Sequence, residues 1–200
     1  MKLKTLLFTV FLISTFSFSQ EKDDLFNMIE QEEKKIELLP EKMIFTQSLL
    51  WGKKGLFRKT GISPLNLENR QKELKLRKTM LTTHQAIGYL TLASMIAQGI
   101  IGGKLYNGQD DLYETHKTMG KIVNIGYFTG AGLSLFSPPP LINKKVKGFN
   151  SIKAHKILAT VHFSAMVATN YYKDKNKSNH KAAAYTAFAS YATAVLVIKF

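Results

Sequence analysis

Five histidines, His84, His116, His155, His162 and His180, hold most of the chemistry available to this 200-residue chain. A neutral imidazole is a ready metal ligand. There is no cysteine, which excludes disulfides, iron–sulfur clusters and covalently attached c-type haem, all of which need thiols. Four of the histidines share a local pattern, each being followed at i+4 by a residue without bulk. These are His84 with Gly88, His116 with Gly120, His155 with Ala159 and His180 with Ala184. Residues four apart lie on one helix face, so each imidazole has clear space beside it. A flat group coordinated through the ring, such as a porphyrin, needs that space. His162 is followed by Met166 instead and reads as a core or supporting histidine. It shares a face with His155 and remains a rival ligand there.

The elements that must position these residues divide the chain in two. Hydropathy averaged over the chain is near neutral, but residues 20–78 are dense in charge and residues 79–200 in apolar and small side chains. In the latter part, Gln85–Gly103, Thr118–Ser137, Ile157–Tyr172 and Ala182–Ile198 read as four spans, interrupted by charge only at Lys121. A bilayer core takes about 20 helical residues, with somewhat fewer tolerated. Pro138-Pro139-Pro140 stops the second span, and short polar connections such as Lys173–Asn179 make consecutive helices antiparallel. The expected fold is all-α, an up-down four-helix transmembrane bundle. Gly99 with Gly103, and Gly126 with Gly130, have the four-residue spacing that lets membrane helices approach closely.

Ahead of the bundle, residues 1–19 read as a signal peptide, with Lys2 and Lys4, the apolar run Leu6–Phe18, and small residues at Ser17 and Ser19. Residues 20–78 are expected to be a charged, amphipathic helical segment. Trp51, Lys53, Lys54, Leu56 and Phe57 suit either the membrane interface or packing on the bundle. Gly61 and Pro64 mark a turn, after which a helix from Asn66 runs toward the first span. The net charge of +14 accompanies no nucleic-acid motif. Membrane lipids are the expected partner, with no nucleic acid.

Antiparallel order places the starts of the first and third spans, with His84 and His155, at one membrane face. His116 and His180 fall at the other. Ionisable residues in a membrane interior are costly and usually functional. Four in one repeated setting argue against a non-haem structural or assembly protein, which is the alternative reading. A divalent-metal transporter would gather carboxylates at broken helices, and the spans carry no Asp or Glu at mid-depth.

The stretches HQAIGYLTLASMIAQGIIGG at 84–103, HKTMGKIVNIGYFTGAGLSLFSPPP at 116–140, HKILATVHFSAM at 155–166 and HKAAAYTAFASYATA at 180–194 together resemble the cytochrome b561 family. The resemblance covers roughly residues 79–200 and rests on ligand order and spacing. It implies two haem b groups per chain, one held by His84 and His155, the other by His116 and His180. The implied function is electron transfer across the membrane, with reduction of a metal chelate or a quinone as an outlet. The chain lacks the extra flanking spans of eukaryotic members, so the resemblance implies neither the redox donor nor the acceptor. A homodimer is among the expected assemblies. The expected location is a bacterial-type inner membrane. Export of residues 20–78 would put both mature ends on the periplasmic side, although Lys75, Arg77, Lys78, Lys144, Lys145 and Lys147 argue for the opposite orientation by the positive-inside rule.

Overall fold

Two hydrogen-bonding devices, asparagine caps and an inward-turned arginine cluster, set the frame of the molecule. In a computed structural model, residues 37–141 and 150–199 are described, and their regular structure is entirely helical. The expected signal peptide, the acidic stretch up to residue 36, and Lys144, Lys145 and Lys147 lie outside these residues. Two short helices, α1 (Phe45–Trp51) and α2 (Leu56–Lys59), precede four long ones: α3 (Leu67–Tyr106), α4 (Tyr113–Leu135), α5 (Ser151–Tyr172) and α6 (Lys177–Lys199). Three of the long helices begin on asparagine. Asn66, Asn150 and Asn176 accept from the backbone N–H groups of Asn69, Lys153 and Asn179 at 2.9, 3.0 and 2.8 Å, satisfying donors that a helix start otherwise leaves open. Ahead of α4, Gly108 at φ 98° turns the chain into a single 3₁₀ turn, Asp110–Leu112.

Helices α3 and α4 form one hairpin, and α5 and α6 another. Close backbone approach is extensive within each hairpin and, between them, runs chiefly along α3 and α6. Helices α3 and α5 are therefore diagonal to one another, as are α4 and α6. Each helix contains the span expected of it, except that α4 ends at Leu135, two residues short of Ser137. The expected boundary between residues 78 and 79 falls in the middle of α3, which runs unbroken as the Asn66 reading anticipated. By length and composition α3 is able to cross a membrane, and it is the one helix among the described residues to meet that measure.

The core combines Met95, Val123, Tyr127 and Met166 with small residues such as Ala187 and Ala194, each 1% exposed. Large apolar side chains also lie outside, Leu90 and Ile125 being 69% exposed and Ile157 and Leu196 58%. The expected glycine pairs behave differently. A Cβ at Gly126 would lie 2.6 Å from Thr91 Oγ1, so α3 and α4 touch there, whereas Gly99 and Gly103 face open space.

Residues 38–66 pack on the end of this bundle and belong to one unit with it. Of the two settings expected for this segment, packing on the bundle is the one observed. Thr46 Oγ1 donates to Leu135 O at 2.5 Å and Trp51 Nε1 to Phe136 O at 3.0 Å. Beneath them Glu73, with its side chain 3% exposed, receives hydrogen bonds from Arg58, Arg70 and Ser63. Arg70 also donates to Leu38 O and Pro139 O at 2.8 and 3.1 Å, and Arg77 to Pro138 O at 2.6 Å. The proline run therefore does more than end α4, because its carbonyls accept from Arg70 and Arg77 and tie it to the start of α3. Arg58 and Arg70 are buried and Arg77 partly so.

Burial opposes ionisation of Glu73, but the hydrogen bonds from Arg58, Ser63 and Arg70 outweigh it and hold the carboxyl below its ordinary range. With the folded value below the unfolded one, this contribution to stability is complete above the unfolded pKa and fades as pH falls through the folded one. Trp51, the single tryptophan, reports on it. Its emission is expected to shift to the red on acidification below about pH 4.3. Glu73→Ala is expected to destabilise the cap by about 3 kcal/mol at neutral pH, leaving two buried arginines without their carboxylate. An unchanged Trp51 melting curve in that variant would contradict the assignment.

Candidate functional site

The histidines expected to pair do meet. The rings of His84 on α3 and His155 on α5 have centres 6.5 Å apart and planes at 86°. Those of His116 on α4 and His180 on α6 are 6.3 Å apart at 83°. Both pairs join diagonal helices, so each lies across the inside of the bundle, and antiparallel order sets them at opposite ends. Their separation follows from helix rise. His116 contacts Gln98, and His180 contacts the Thr169 carbonyl; these lie fourteen residues beyond His84 and His155 on the same helices. At about 1.5 Å per residue the two levels are about 20 Å apart.

A main-chain carbonyl of the hairpin partner fixes three of the four rings. The Nδ1 atoms of His84, His155 and His180 lie 2.9, 3.0 and 2.9 Å from the oxygens of Gly130, Ala194 and Thr169. A carbonyl only accepts, so the proton of each neutral ring must be on Nδ1, leaving the Nε2 lone pair free. This is the second-partner arrangement by which metal-binding histidines are oriented and made more basic. Ring spacing agrees with that role. With Nε2 about 2.0–2.1 Å from a shared metal ion and the ring centre about 1.1 Å behind it, two centres would be about 6.3 Å apart. The observed 6.5 and 6.3 Å match. Two imidazoles alone would hold a bare ion weakly, so the donor set suits a metal that brings its own equatorial ligands.

His116 differs from the other three. Its Nε2 lies 3.3 Å from Gln98 Nε2, and its buried Nδ1 has no hydrogen-bond partner. Gly102 makes room for the ring, since a Cβ there would stand 2.8 Å from His116 Cε1.

The small residues at i+4 are all inside or half-buried: Gly88 is buried, and Gly120, Ala159 and Ala184 are intermediate. Two of them also serve neighbours that the spacing did not reveal. A Cβ at Gly88 would come 3.6 Å from the Tyr191 hydroxyl, and one at Gly120 3.2 Å from Gln98 Nε2. Between the histidine levels lies an aromatic layer. Tyr127 Oη is 2.6 Å from His162 Nδ1, the His162 and Tyr191 ring centres are 5.1 Å apart, and Tyr191 donates to Gly88 O at 3.2 Å. His162 therefore sits with Tyr127 and Tyr191 in the middle of the bundle, as a core or supporting histidine would. Tyr127 and Tyr191 escaped the sequence reading, since tyrosines on an apolar face carry no spacing signal. Gln98 was findable as an amide inside an otherwise apolar span.

The contact between α3 and α4 at this layer is tight enough to test. Gly126→Ala is expected to lower the melting temperature, at a cost of about 1–3 kcal/mol for overpacking. Thr91→Ala in the same chain should recover most of the loss by removing the hydroxyl in the way. An additive double variant would contradict the contact. In comparisons with family models, curated proteins and solved structures, nothing matches this chain.

Proposed function

We propose that this protein is a di-haem b membrane cytochrome that carries electrons between the two faces of a bilayer, with a resemblance to the cytochrome b561 family. The observation that carries the reading is the pair of histidine pairs. Each is 6.3–6.5 Å between ring centres, on diagonal helices and at opposite ends of one bundle. His84 and His155 would hold one haem, His116 and His180 the other. When bound, haem supplies a one-electron iron couple at each level. The chain's own residues do the rest. Carbonyls of Gly130, Ala194 and Thr169 hold three imidazoles in the ligating tautomer. Held between two imidazoles, the group would carry electrons rather than activate a bound substrate. Tyr127, His162 and Tyr191 pack together between the two levels.

Membrane insertion of all four long helices is supported by the outward-facing Leu90, Ile100, Ile125, Ile157 and Leu196. Soluble proteins rarely leave so continuous an apolar surface uncovered. Small residues on the inner faces, among them Gly88, Gly130, Ala154, Ala165, Ala187 and Ala194, suit close packing in lipid. On this reading the protein is multi-pass in an inner membrane, with a metal chelate or quinone as suitable electron acceptors.

Protein purified from haem-replete cells should give two haems per chain in a pyridine haemochrome assay. His84→Ala and His155→Ala should each lose the same one. His116→Ala and His180→Ala should each lose the other, and His162→Ala should keep both. Haem-free protein would overturn the reading. Loss of a haem from His162→Ala with retention in His155→Ala would reassign the ligand on α5.

A further inference from the structure

The four histidines are not equivalent, and the difference lies in what holds each ring. In the α5–α6 hairpin the anchoring is reciprocal: His155 is tied to Ala194 O on α6, and His180 to Thr169 O on α5. In the α3–α4 hairpin it is one-sided. His84 is tied to Gly130 O, but His116 has no carbonyl at Nδ1. Its nearest polar neighbour is a side chain, Gln98, whose amide nitrogen approaches the nitrogen that would ligate. Gln98 Oε1 is itself buried without a partner, so nothing on that side holds the amide in place. The ring also lies against Gly102, where a Cβ would stand 2.8 Å from Cε1 and 3.2 Å from Nδ1.

We propose that His116 is an exchangeable axial ligand, and that the His116–His180 centre is consequently a binding site for a small neutral iron ligand of the diatomic class. The proposal rests on the di-haem reading. An amide N–H donated to Nε2 competes for the lone pair that would bind iron. A ring without an Nδ1–H···O=C bond is also a poorer donor and freer to swing. In the exchange, the iron–Nε2 bond breaks with the electron pair staying on nitrogen. Nε2 then accepts from Gln98 Nε2–H, and the incoming ligand donates its own pair to the vacated position. No electron or proton is gained or lost. His180, fixed to Thr169 O, stays bound opposite. At the other level both rings are anchored to carbonyls, so neither lets go.

Carbon monoxide is the probe, applied to the dithionite-reduced full-length protein in detergent with both haems counted beforehand. The expected result is a clear reduced-plus-CO minus reduced spectrum from one of the two haems and none from the other. The same band should persist in His84→Ala, which lacks the other haem, and vanish in His180→Ala, which lacks this one, and that marks the site. Gln98→Leu removes the competitor for Nε2 and should lower CO binding about threefold to tenfold, the worth of one neutral hydrogen bond of about 0.5–1.5 kcal/mol. A merely structural role for Gln98 would loosen the site and raise CO binding instead. CO uptake by both haems, uptake that survives at full extent in Gln98→Leu, or no uptake by wild type would each overturn the proposal while leaving two histidine-ligated haems in place. Absence of haem would instead overturn the reading beneath it.

Discussion

The arrangement depends on a hydrogen bond made within each hairpin that orients a group facing the other hairpin. A histidine in an apolar bundle has two nitrogens to satisfy and little water to do it with. In His84, His155 and His180 a main-chain carbonyl on the neighbouring helix takes the Nδ1 proton. That one contact sets the tautomer of the neutral ring and leaves the Nε2 lone pair free, with the ring centre 6.3–6.5 Å from that of its partner on the diagonal helix. Both ring planes then cross their partners nearly at right angles. The residues that offer the carbonyls are Gly130, Ala194 and Thr169, none with a bulky side chain.

The end of the bundle carrying His84 and His155 is closed by a structure of a different kind. Residues 38–66 bury Leu39 and Trp51 and are held by Arg58, which joins Trp51 O and Ser63 to Glu73, and by Arg70, which joins Leu38 O to Glu73 and Pro139 O, while Arg77 adds a bond from α3 to Pro138 O. This ties the start of α3 to the end of α4, and so steadies the hairpin in which Gly130 meets His84. The other end has no such brace. It carries exposed ammonium groups stacked on tyrosines, Lys175 over Tyr171 and Lys181 over Tyr106. In the proposed reading, that is the level at which the ligand set is looser.

The histidine pairs were legible from the sequence because antiparallel order and helical periodicity are arithmetic. One histidine near the start of each of four consecutive apolar spans leaves a single way to pair them by level. The helices themselves followed from their apolar runs, and Asn66 as a helix start from local chemistry. The arginine–glutamate cap was not legible, since a basic stretch has the same composition whether its side chains face lipid headgroups or a buried carboxylate. Nor was the singular setting of His116. Its i+4 glycine makes it look like the other three, and only the position of Gln98 on a different helix distinguishes it. Signals within one helix were readable, while contacts between helices far apart in sequence were not.

The central claim of the account is that each histidine pair shares one iron. Electron paramagnetic resonance of the oxidised, purified protein tests this most directly, because ferric iron between two imidazoles is low-spin and its anisotropy reports the angle between the ring planes. Planes at 86° and 83° predict two low-spin centres, both of the strongly anisotropic kind that crossed imidazoles give, with little high-spin signal. A dominant high-spin haem signal, a rhombic low-spin signal typical of parallel rings, or iron without haem character would contradict it.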